Sequence, residues 1–354
     1  MGEERPRAAD LGLEIGLMPR GAHNALTDVP DVTVGHVTLI DGEGPLDIGR
    51  GPVRTGVTVI KPHQGNLFEQ KVVGAVHVLN GFGKAIGFLQ VSELGVIESP
   101  IMLTSTLSIW RATDALIDYL AEQNPGVYSF NPVVGECNDG FLNDIVGRHV
   151  GPNDVRAAID GARSPNTDEG VVGAGTGMTG FAWKGGIGTA SRVCEIGGET
   201  YTVGVLTLTN TGDPRELRMD GVRIGRGLLP PPDSFDPTRA GGSIMMVVGT
   251  DAPVNSRQLG RIGRRAAMGL ARAGGIADHS SGDFIIAFSN TDGSVSLDDS
   301  ELTPLFRAAI ESTEEAVINS VLRAHTVVGR DGNTRQGIPI DDVKRILQAN
   351  GIGS

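Results

Sequence analysis

The sequence is poor in several residue types, and each shortage excludes a class of protein. Only two of its 354 residues are cysteines, Cys137 and Cys194, which is too few for a disulfide framework. We expect both to be reduced packing residues. No apolar run approaches the roughly 18 residues of a membrane span, and no signal sequence follows the charged first residues. We therefore expect a cytoplasmic protein with no membrane partner.

Basic residues and metal-binding patterns are also scarce. The 30 Lys and Arg against 42 Asp and Glu give a formal net charge of −12. This excludes nucleic acid as a bulk partner, because phosphate binding needs a basic surface. The seven histidines are scattered, without a His-x-x-x-His pair, and no Cys-x-x-Cys occurs. We expect no metal and no other cofactor.

The sequence supports neither of two familiar motifs. A Gly-x-Ser-x-Gly elbow is absent, so an α/β-hydrolase triad is not predicted. Gly175, Gly177 and Gly180 match the letters of a dinucleotide fingerprint, which requires a helix directly after it. More glycines follow instead, and each costs about 1 kcal/mol in a helix interior. We reject dinucleotide binding and expect this glycine-rich run to pack against backbone or ligand.

Glycine is abundant, with 52 residues, whereas aromatic residues make up 4%. Close backbone packing therefore replaces ring packing in the expected core. Apolar runs of strand length alternate with segments of helical period, for example at 105–123, 255–273 and 303–324. The sequence predicts an α/β fold in which helices cover the sheets.

One serine lies where a breaker-rich segment meets a buried strand. The prolines at 228–237 predict an exposed loop, and Gly242 and Ser243 lead into an apolar strand beginning at Ile244. A turn serine is the ordinary interpretation of such a pattern. If the bond between Gly242 and Ser243 breaks, however, Ser243 gains an α-amine with a pKa of about 7.7 to 8.0. That amine can activate its own hydroxyl.

Other polar residues also lie at strand ends. Ser281 and Asp283 precede the apolar strand that starts at Phe284, and Asn210 ends an alternating strand. Glu136 belongs to a cluster of carboxylates and amides at 131–144. Each of these could point into a cleft, although a turn-forming role is the more ordinary interpretation of Asn210 from sequence alone.

Several long motifs, in this order, resemble the DmpA-type serine aminopeptidases, which include L-aminopeptidase D-amidase/esterases and β-peptidyl aminopeptidases. They are Gly-Ala-Gly-Thr-Gly-Met at 173–178, Lys-Gly-Gly-Ile-Gly-Thr-Ala-Ser-Arg at 184–192, Gly-Gly-Ser-Ile-Met at 241–245, Thr-Asp-Ala-Pro at 250–253 and His-Ser-Ser-Gly-Asp at 279–283. The likeness covers nearly the whole chain.

The resemblance implies a four-layer αββα sandwich like that of the N-terminal nucleophile hydrolases. It also implies self-cleavage into an α subunit, residues 1–242, and a β subunit, residues 243–354, which together form one structural domain. The implied partners are a small peptide or amide substrate and further copies of the αβ unit, in a homo-oligomer expected to be a tetramer.

The resemblance also implies roles for individual residues. Ser243 matches the nucleophile, and Gly242-Ser243 matches the cleaved bond. Ser281 and Asp283 match residues that assist it, with Asp283 bridging through water because it is one methylene shorter than glutamate. Asn210 matches an oxyanion-hole amide.

Two further positions concern the substrate. Glu136 matches the acidic residue that receives the substrate's free amino group. Phe141 stands where a tyrosine is expected, in the substrate-binding region, so the contribution of a phenol to the oxyanion hole is in question.

Two alternatives remain open at this stage. An ornithine acetyltransferase-like acyl transferase would share the architecture and the self-cleavage, although that group uses an N-terminal threonine. A non-enzymatic binding or assembly scaffold would tolerate neutralisation of Glu136 and Asp283. The leading hypothesis is a self-processing serine aminopeptidase acting on small peptides, amides or esters, including β-amino acid or D-residue substrates.

Overall fold

A computed structural model describes residues 5–231 and 242–353. Most of the predicted loop at 228–237, together with residues 238–241, lies outside the described residues. Gly242 and Ser243 lie inside them.

The chain alternates between strands and helices. The strands are β1 Thr33–Asp41, β2 Val53–Lys61, β3 Val72–Gly81, β4 Ala85–Ile86, β5 Val96–Ile97, β6 Ile101–Ser105, β7 Val133–Cys137, β8 Thr179–Gly180, β9 Trp183–Lys184, β10 Gly186–Ile196, β11 Glu199–Asn210, β12 Ser243–Thr250, β13 Gly282–Ser289, β14 Val327–Val328 and β15 Thr334–Arg335. The α-helices are α1 Phe88–Leu94, α2 Ile109–Gln123, α3 Pro152–Asp160, α4 Ser256–Gly263, α5 Ala266–Ala273, α6 Thr303–Leu322 and α7 Ile340–Ala349.

Two large sheets carry the architecture. One has five strands in the order β1-β2-β6-β7-β4, and the other has six in the order β10-β11-β12-β13-β3-β5. An apolar layer lies between them, to which Leu103, Leu208 and Met245 contribute. Side chains on the opposite faces pack under helices, as Val59 does beneath α2 and Val248 beneath the layer of α4, α5 and α6. The predicted αββα sandwich is confirmed.

The sheet register explains why the central strands are continuously apolar. Every residue of β12 and β13 is buried, because one face meets the second sheet and the other meets the helices. Alternate residues therefore serve different cores: Ile244 faces the helices, whereas Met245 faces the other sheet. By the same alternation, Ser243 points between the two sheets.

The helices follow the sequence prediction with one difference. The expected single helix at 255–273 is two helices, α4 and α5, which break at Arg264 and Arg265. The reason is tertiary: α4 packs against β3 and β13, whereas α5 packs along α6. Asn255 caps α4, because its side chain accepts the backbone N–H of Gln258.

The glycine-rich run at 173–180 contains no α-helix that could present its N-terminus to a dinucleotide. It forms a short 3₁₀ turn over Gly173–Gly177 and then enters β8. A Cβ at Gly177 would lie 2.3 Å from the Arg54 carbonyl oxygen, so the glycine allows two backbone segments to approach closely. Among the residues described, no helix is long and apolar enough to cross a membrane.

Candidate active site

Three strand ends meet at one edge of the six-stranded sheet. Ser243, the first residue of β12, pairs with Asn210, the last residue of β11, and with Gly282, the first residue of β13. Strands β12 and β13 are parallel and so begin at the same edge, and the antiparallel β11 ends there. The sheet topology therefore brings together residues that are up to 72 positions apart in the sequence, from Asn210 to Gly282.

The Ser243 hydroxyl accepts two hydrogen bonds from different sheets. Asn210 donates through Nδ2 at 3.2 Å, and the backbone N–H of Asn138 donates at 3.4 Å. Asn138 directly follows β7, which belongs to the other sheet. Ser243 is 5% exposed, so the hydroxyl lies in a narrow, largely desolvated position between the sheets. Two hydrogen-bond donors therefore lie beside the serine oxygen, and donors near a nucleophile are the kind of group that stabilises an oxyanion.

The Asn210 amide has a fixed orientation. Its Oδ1 accepts the backbone N–H of Thr179 at 2.8 Å, and its Nδ2 also donates to the Asn138 carbonyl oxygen at 3.0 Å. Because the oxygen end is occupied by a donor, the NH₂ end must face Ser243. The structure therefore places the Asn210 NH₂ group beside the Ser243 hydroxyl.

Ser281 and Asp283 form a buried pair next to this edge. The Ser281 hydroxyl donates to Asp283 Oδ1 at 2.6 Å, and both side chains are 0% exposed. The contact between Ser281 and Asp283 is direct, and the expected water bridge from Asp283 stays a prediction. Burial raises the pKa of Asp283 to about 6, the charge of Asp278 adds to this, and the Ser281 hydrogen bond opposes it.

The Ser281–Asp283 pair differs from Asn210 in how it is placed relative to the Ser243 hydroxyl. Within residues 5–231 and 242–353, no hydrogen bond joins Ser281 or Asp283 directly to the Ser243 hydroxyl. Ser281 instead lies 3.4 Å from Thr211 Oγ1, and Asp283 Oδ2 is buried without a hydrogen-bond partner. An unsatisfied buried carboxylate oxygen next to the sheet edge can accept a proton or bind an ammonium group.

Glu136 occupies the penultimate position of β7 and is 4% exposed. Its Oε1 accepts the backbone N–H of Lys84 at 2.9 Å, and its Oε2 accepts the Thr106 hydroxyl. The Lys84 ammonium lies 3.8 Å from Oε1. Glu136 is therefore a buried carboxylate that already faces one cation, two residues before the Asn138 donor.

Phe141 is connected to the Asn210 contacts through Arg335. Its ring is 37% exposed and stacks on the Arg335 guanidinium, whose carbon lies 3.5 Å from the ring centroid. Arg335 Nε also donates to Thr179 Oγ1 at 3.0 Å, and burial lowers the pKa of Arg335 to about 10. Phe141 thus borders the site through Arg335 and Thr179, and it has no hydroxyl with which to donate to an oxyanion.

Sequence reasoning missed several residues of this site. Asn138 and Thr179 act through their backbone N–H groups, for which side-chain identity gives no signal. Asp139 holds the turn after β7, because it accepts hydroxyl hydrogen bonds from Thr55 at 2.6 Å and Ser105 at 2.9 Å. Its burial raises the pKa of this carboxyl to about 6.

The sequence prediction also assigned no role to Lys184, which follows the glycine-rich run at 173–180. It is 0% exposed, and its ammonium donates to the carbonyls of Gly175, Met178 and Gly185 at 2.9, 2.8 and 2.7 Å. Burial lowers its pKa well below the ordinary value. A lysine among many glycines was the available signal, because a cation there can bind several carbonyls of a tightly folded backbone.

The cysteines are free and buried, as predicted. Cys137 donates to the Leu208 carbonyl at 3.5 Å, and burial holds its pKa well above the usual range. Among the residues that the structure describes, no group of three or more His, Cys, Asp or Glu side chains is arranged to hold a metal ion.

Comparison with known proteins decides the family. Residues 24–335 match the family described as Peptidase family S58. The chain belongs to this family.

Individual relatives agree with the assignment. The beta-peptidyl aminopeptidase BapA of Sphingosinicella microcystinivorans is 41% identical over 98% of this chain and 92% of its own. The crystal structure of the PH0078 protein from Pyrococcus horikoshii is 46% identical, with a TM-score of 0.92 over 98% of this chain and 100% of the other.

A third comparison concerns the fold. The L-aminopeptidase D-Ala-esterase/amidase of Ochrobactrum anthropi is 35% identical, with a TM-score of 0.89 over 99% of this chain and 100% of its own. It is described as a prototype for the serine aminopeptidases and as a variant of the Ntn hydrolase fold. The family and fold that the sequence motifs imply are both confirmed for this S58 chain.

Proposed function

We propose that this S58 chain is a self-processing serine aminopeptidase that removes N-terminal residues from small peptides, amides or esters. Family membership and the aminopeptidase relatives support a serine peptidase with autoprocessing. The observation that carries the assignment to Ser243 is the pair of donors, Asn210 Nδ2 and the Asn138 N–H, that converge on its hydroxyl.

Cleavage of the Gly242-Ser243 bond creates the α subunit, residues 1–242, and the β subunit, residues 243–354. The sheet keeps the two subunits together, because β12 of the β subunit pairs along its length with β11 of the α subunit. Antiparallel pairing also joins β13 to β3. The two products therefore share one structural domain, and the new N-terminus begins a buried strand.

Turnover then uses the free α-amine of Ser243. The α-amine takes the hydroxyl proton as the oxygen attacks the substrate carbonyl carbon, and the carbonyl electron pair moves onto its oxygen. Asn210 Nδ2 and the Asn138 N–H stabilise that oxyanion. The amine product leaves with a proton, and water hydrolyses the ester on Ser243. Ser281 and Asp283 assist proton transfer as a buried pair whose carboxyl has a pKa of about 6.

Glu136 gives the site its exopeptidase character. Glu136 is 4% exposed and already lies 3.8 Å from the Lys84 ammonium, and the substrate's terminal ammonium would be a second cationic partner. A blocked N-terminus would leave Glu136 without that partner. We infer that the leaving part of the substrate contacts Phe141, whose ring stacks on the Arg335 guanidinium.

The relatives indicate the substrate class. Because a β-peptidyl aminopeptidase is 41% identical over nearly the whole chain, we infer that peptides with an N-terminal β-amino acid residue are among the substrates. The relative from Ochrobactrum anthropi supports amide and ester hydrolysis as well. A panel of β-homoamino dipeptides, α-dipeptides and p-nitroanilides with L or D residues, assayed on processed enzyme, determines the preference.

Self-processing is tested on the purified protein by denaturing electrophoresis, intact mass and N-terminal sequencing. We expect two fragments, the smaller beginning Ser-Ile-Met-Met. Ser243→Ala should remain one chain and release no amino acid, whereas Ser294→Ala, which changes an exposed serine, should be cut and active. Wild-type protein that stays one chain would refute the processing step.

The comparisons give the acyl transferase alternative no support, and family membership sets aside the non-enzymatic scaffold. Acetyl transfer from acetylornithine to glutamate without any peptide or amide hydrolysis would reverse this preference. We also propose a cytoplasmic homo-oligomer of αβ units, which light scattering coupled to size-exclusion chromatography would test.

A further inference from the structure

The carbonyl of the bond to be cut has a donor of its own. The Gly242 oxygen accepts the backbone N–H of Gly282 at 3.1 Å, which is the first hydrogen bond between the parallel strands β12 and β13. The donors on Ser243 Oγ are different groups, namely Asn210 Nδ2 and the Asn138 N–H. We propose that the Gly282 N–H stabilises the oxyanion of self-cleavage, while Asn210 and Asn138 stabilise the oxyanion of peptide turnover. This inference rests on the proposed function.

The Gly242 peptide is held in place. A Cβ at Gly242 would lie 2.7 Å from both the Asn210 carbonyl oxygen and Thr211 Cα, and 2.8 Å from Thr211 Oγ1. The residue therefore packs directly against the end of β11. To reach the donors on Ser243 Oγ, the Gly242 carbonyl would have to break its bond to Gly282 and rotate through this contact. Preorganised donors act without such reorganisation.

Gly282 is equally constrained on its own strand. A Cβ there would lie 2.7 Å from the Phe82 carbonyl oxygen and 3.2 Å from Gly83 Cα. The segment before it is tied down by Asn80, whose Nδ2 donates to the carbonyls of Asp278 at 2.9 Å and His279 at 3.1 Å. The N–H of Gly282 thus points at the Gly242 oxygen from a fixed backbone.

Self-cleavage of the Gly242-Ser243 bond needs no reagent other than water. Ser243 Oγ loses its proton and bonds to the Gly242 carbonyl carbon, and the carbonyl pair moves onto the oxygen that faces Gly282. When the tetrahedral intermediate collapses, the bond to the Ser243 nitrogen breaks and that nitrogen takes the proton. Water then opens the ester, which leaves a Gly242 carboxyl group, the Ser243 hydroxyl and a free Ser243 amine.

Replacing one backbone amide with an ester tests the proposal directly. Glycolic acid at position 282, introduced by nonsense suppression in cell-free synthesis, removes only the Gly282 N–H. We expect self-cleavage to slow by about 100-fold, as for loss of one oxyanion donor. Once processed, the same protein should hydrolyse a β-homoamino dipeptide with kcat within about threefold of wild type. The same ester at Ile286, further along β13, controls for loss of strand hydrogen bonding.

Asn210→Ala provides the reciprocal test. We expect it to cut itself at close to the wild-type rate but to lose about 10²- to 10³-fold in kcat/KM. Denaturant unfolding of each variant establishes that it is folded. The inference is wrong if the ester at 282 leaves the cutting rate unchanged, or if Asn210→Ala slows cutting as much as turnover. Wild-type protein that is never cut would instead refute the proposed function.

Discussion

Thr179 donates its backbone N–H to Asn210 Oδ1 at 2.8 Å, and this bond fixes which end of the amide faces Ser243. Thr179 is the first residue of β8 and directly follows the glycine-rich turn. Lys184 holds that turn through the carbonyls of Gly175 and Met178. The Asn210 amide is therefore linked, through Thr179 and this turn, to a buried lysine that does not touch Ser243.

Lys184→Met should impair both stability and turnover. Three buried carbonyls would lose the lysine donor, although those of Gly175 and Met178 keep a backbone N–H donor each. The loss is also partly offset by removing an amine that is unfavourable to bury in its charged form. We expect the free energy of unfolding to fall by roughly 2 kcal/mol and kcat to fall by at least about tenfold, with little change in KM. Denaturant unfolding and steady-state kinetics measure these.

The exposed Lys344 provides the matched control. Lys344→Met should change the unfolding free energy by less than about 0.5 kcal/mol and leave kcat unchanged. A Lys184→Met enzyme with wild-type kcat would show that the turn keeps Thr179 in place without the lysine.

Glu136→Gln should weaken recognition of the substrate's terminal ammonium. The variant keeps an oxygen that can accept the Lys84 N–H but removes the charge that we propose binds the substrate's ammonium. A charge-assisted hydrogen bond contributes about 1.5 to 3 kcal/mol, so kcat/KM should fall by about 10- to 100-fold, mostly through KM. Hydrolysis of dipeptides with free N-termini measures the loss.

N-acetylated dipeptides should be hydrolysed poorly by both wild type and Glu136→Gln, because an acetylated N-terminus carries no positive charge for residue 136 to bind. Glu122→Gln, which changes an exposed carboxylate paired with Arg156, should behave as wild type. Equal losses for free and acetylated substrates would contradict the assigned role of Glu136.

The raised pKa of Asp283 leads us to expect that turnover depends on pH. If its carboxylate accepts a proton during the reaction, kcat should rise as the pH passes through about 6, the raised pKa of this group. Asp283→Asn should lose most of its activity and this acid limb with it. A pH profile measured between pH 4 and 8, at roughly one-half-unit steps, resolves the limb. Asp292→Asn, at an exposed position, should keep the wild-type profile.

The same group makes a prediction about stability. Its pKa is higher in the folded state than the ordinary value of 3.8, so the native protein binds this proton more tightly than the unfolded chain. The resulting contribution is fully present below pH 3.8 and is lost as the pH rises through about 6. Relative to wild type, Asp283→Asn should therefore gain stability over that range, by at most about 3 kcal/mol. Urea unfolding at pH 4 and at pH 7.5 tests the sign.

Gly242→Ala should hinder the cut. The added Cβ would lie 2.7 Å from the Asn210 carbonyl oxygen, so the peptide to be cleaved must shift away from the Gly282 N–H. We expect a precursor destabilised by about 1 to 3 kcal/mol, with cleavage slowed at least about tenfold. The fraction of intact chain over time measures the rate.

The control is a helical glycine with room for a methyl group. A Cβ at Gly260 meets nothing closer than Ala75 Cβ at 3.7 Å, so Gly260→Ala should be cut normally and be stabilised by about 0.5 to 1 kcal/mol. Gly242→Ala protein that cleaves itself at the wild-type rate would show that the close packing at this residue is not required.

Much of the fold was determined by local sequence pattern. Continuous apolar runs such as 244–248 mark strands buried on both faces, and the helical period at 303–324 marks α6. The break between α4 and α5 was not predicted, because it depends on which neighbours each half meets and not on its own periodicity. The candidate side chains Ser243, Asn210 and Glu136 were recognisable as polar groups at strand ends.

By itself, the sequence determined which side chains are available: a serine after glycine at the start of a buried strand, an amide at the end of another, and buried carboxylates nearby. Only the tertiary structure decided how they meet, because strand pairing aligns Asn210, Ser243 and Gly282 at one edge and stacking of the sheets brings Asn138 to the serine. Backbone N–H groups carry no side-chain signature. The donors from Asn138, Thr179 and Gly282 could therefore appear only once the chain was folded.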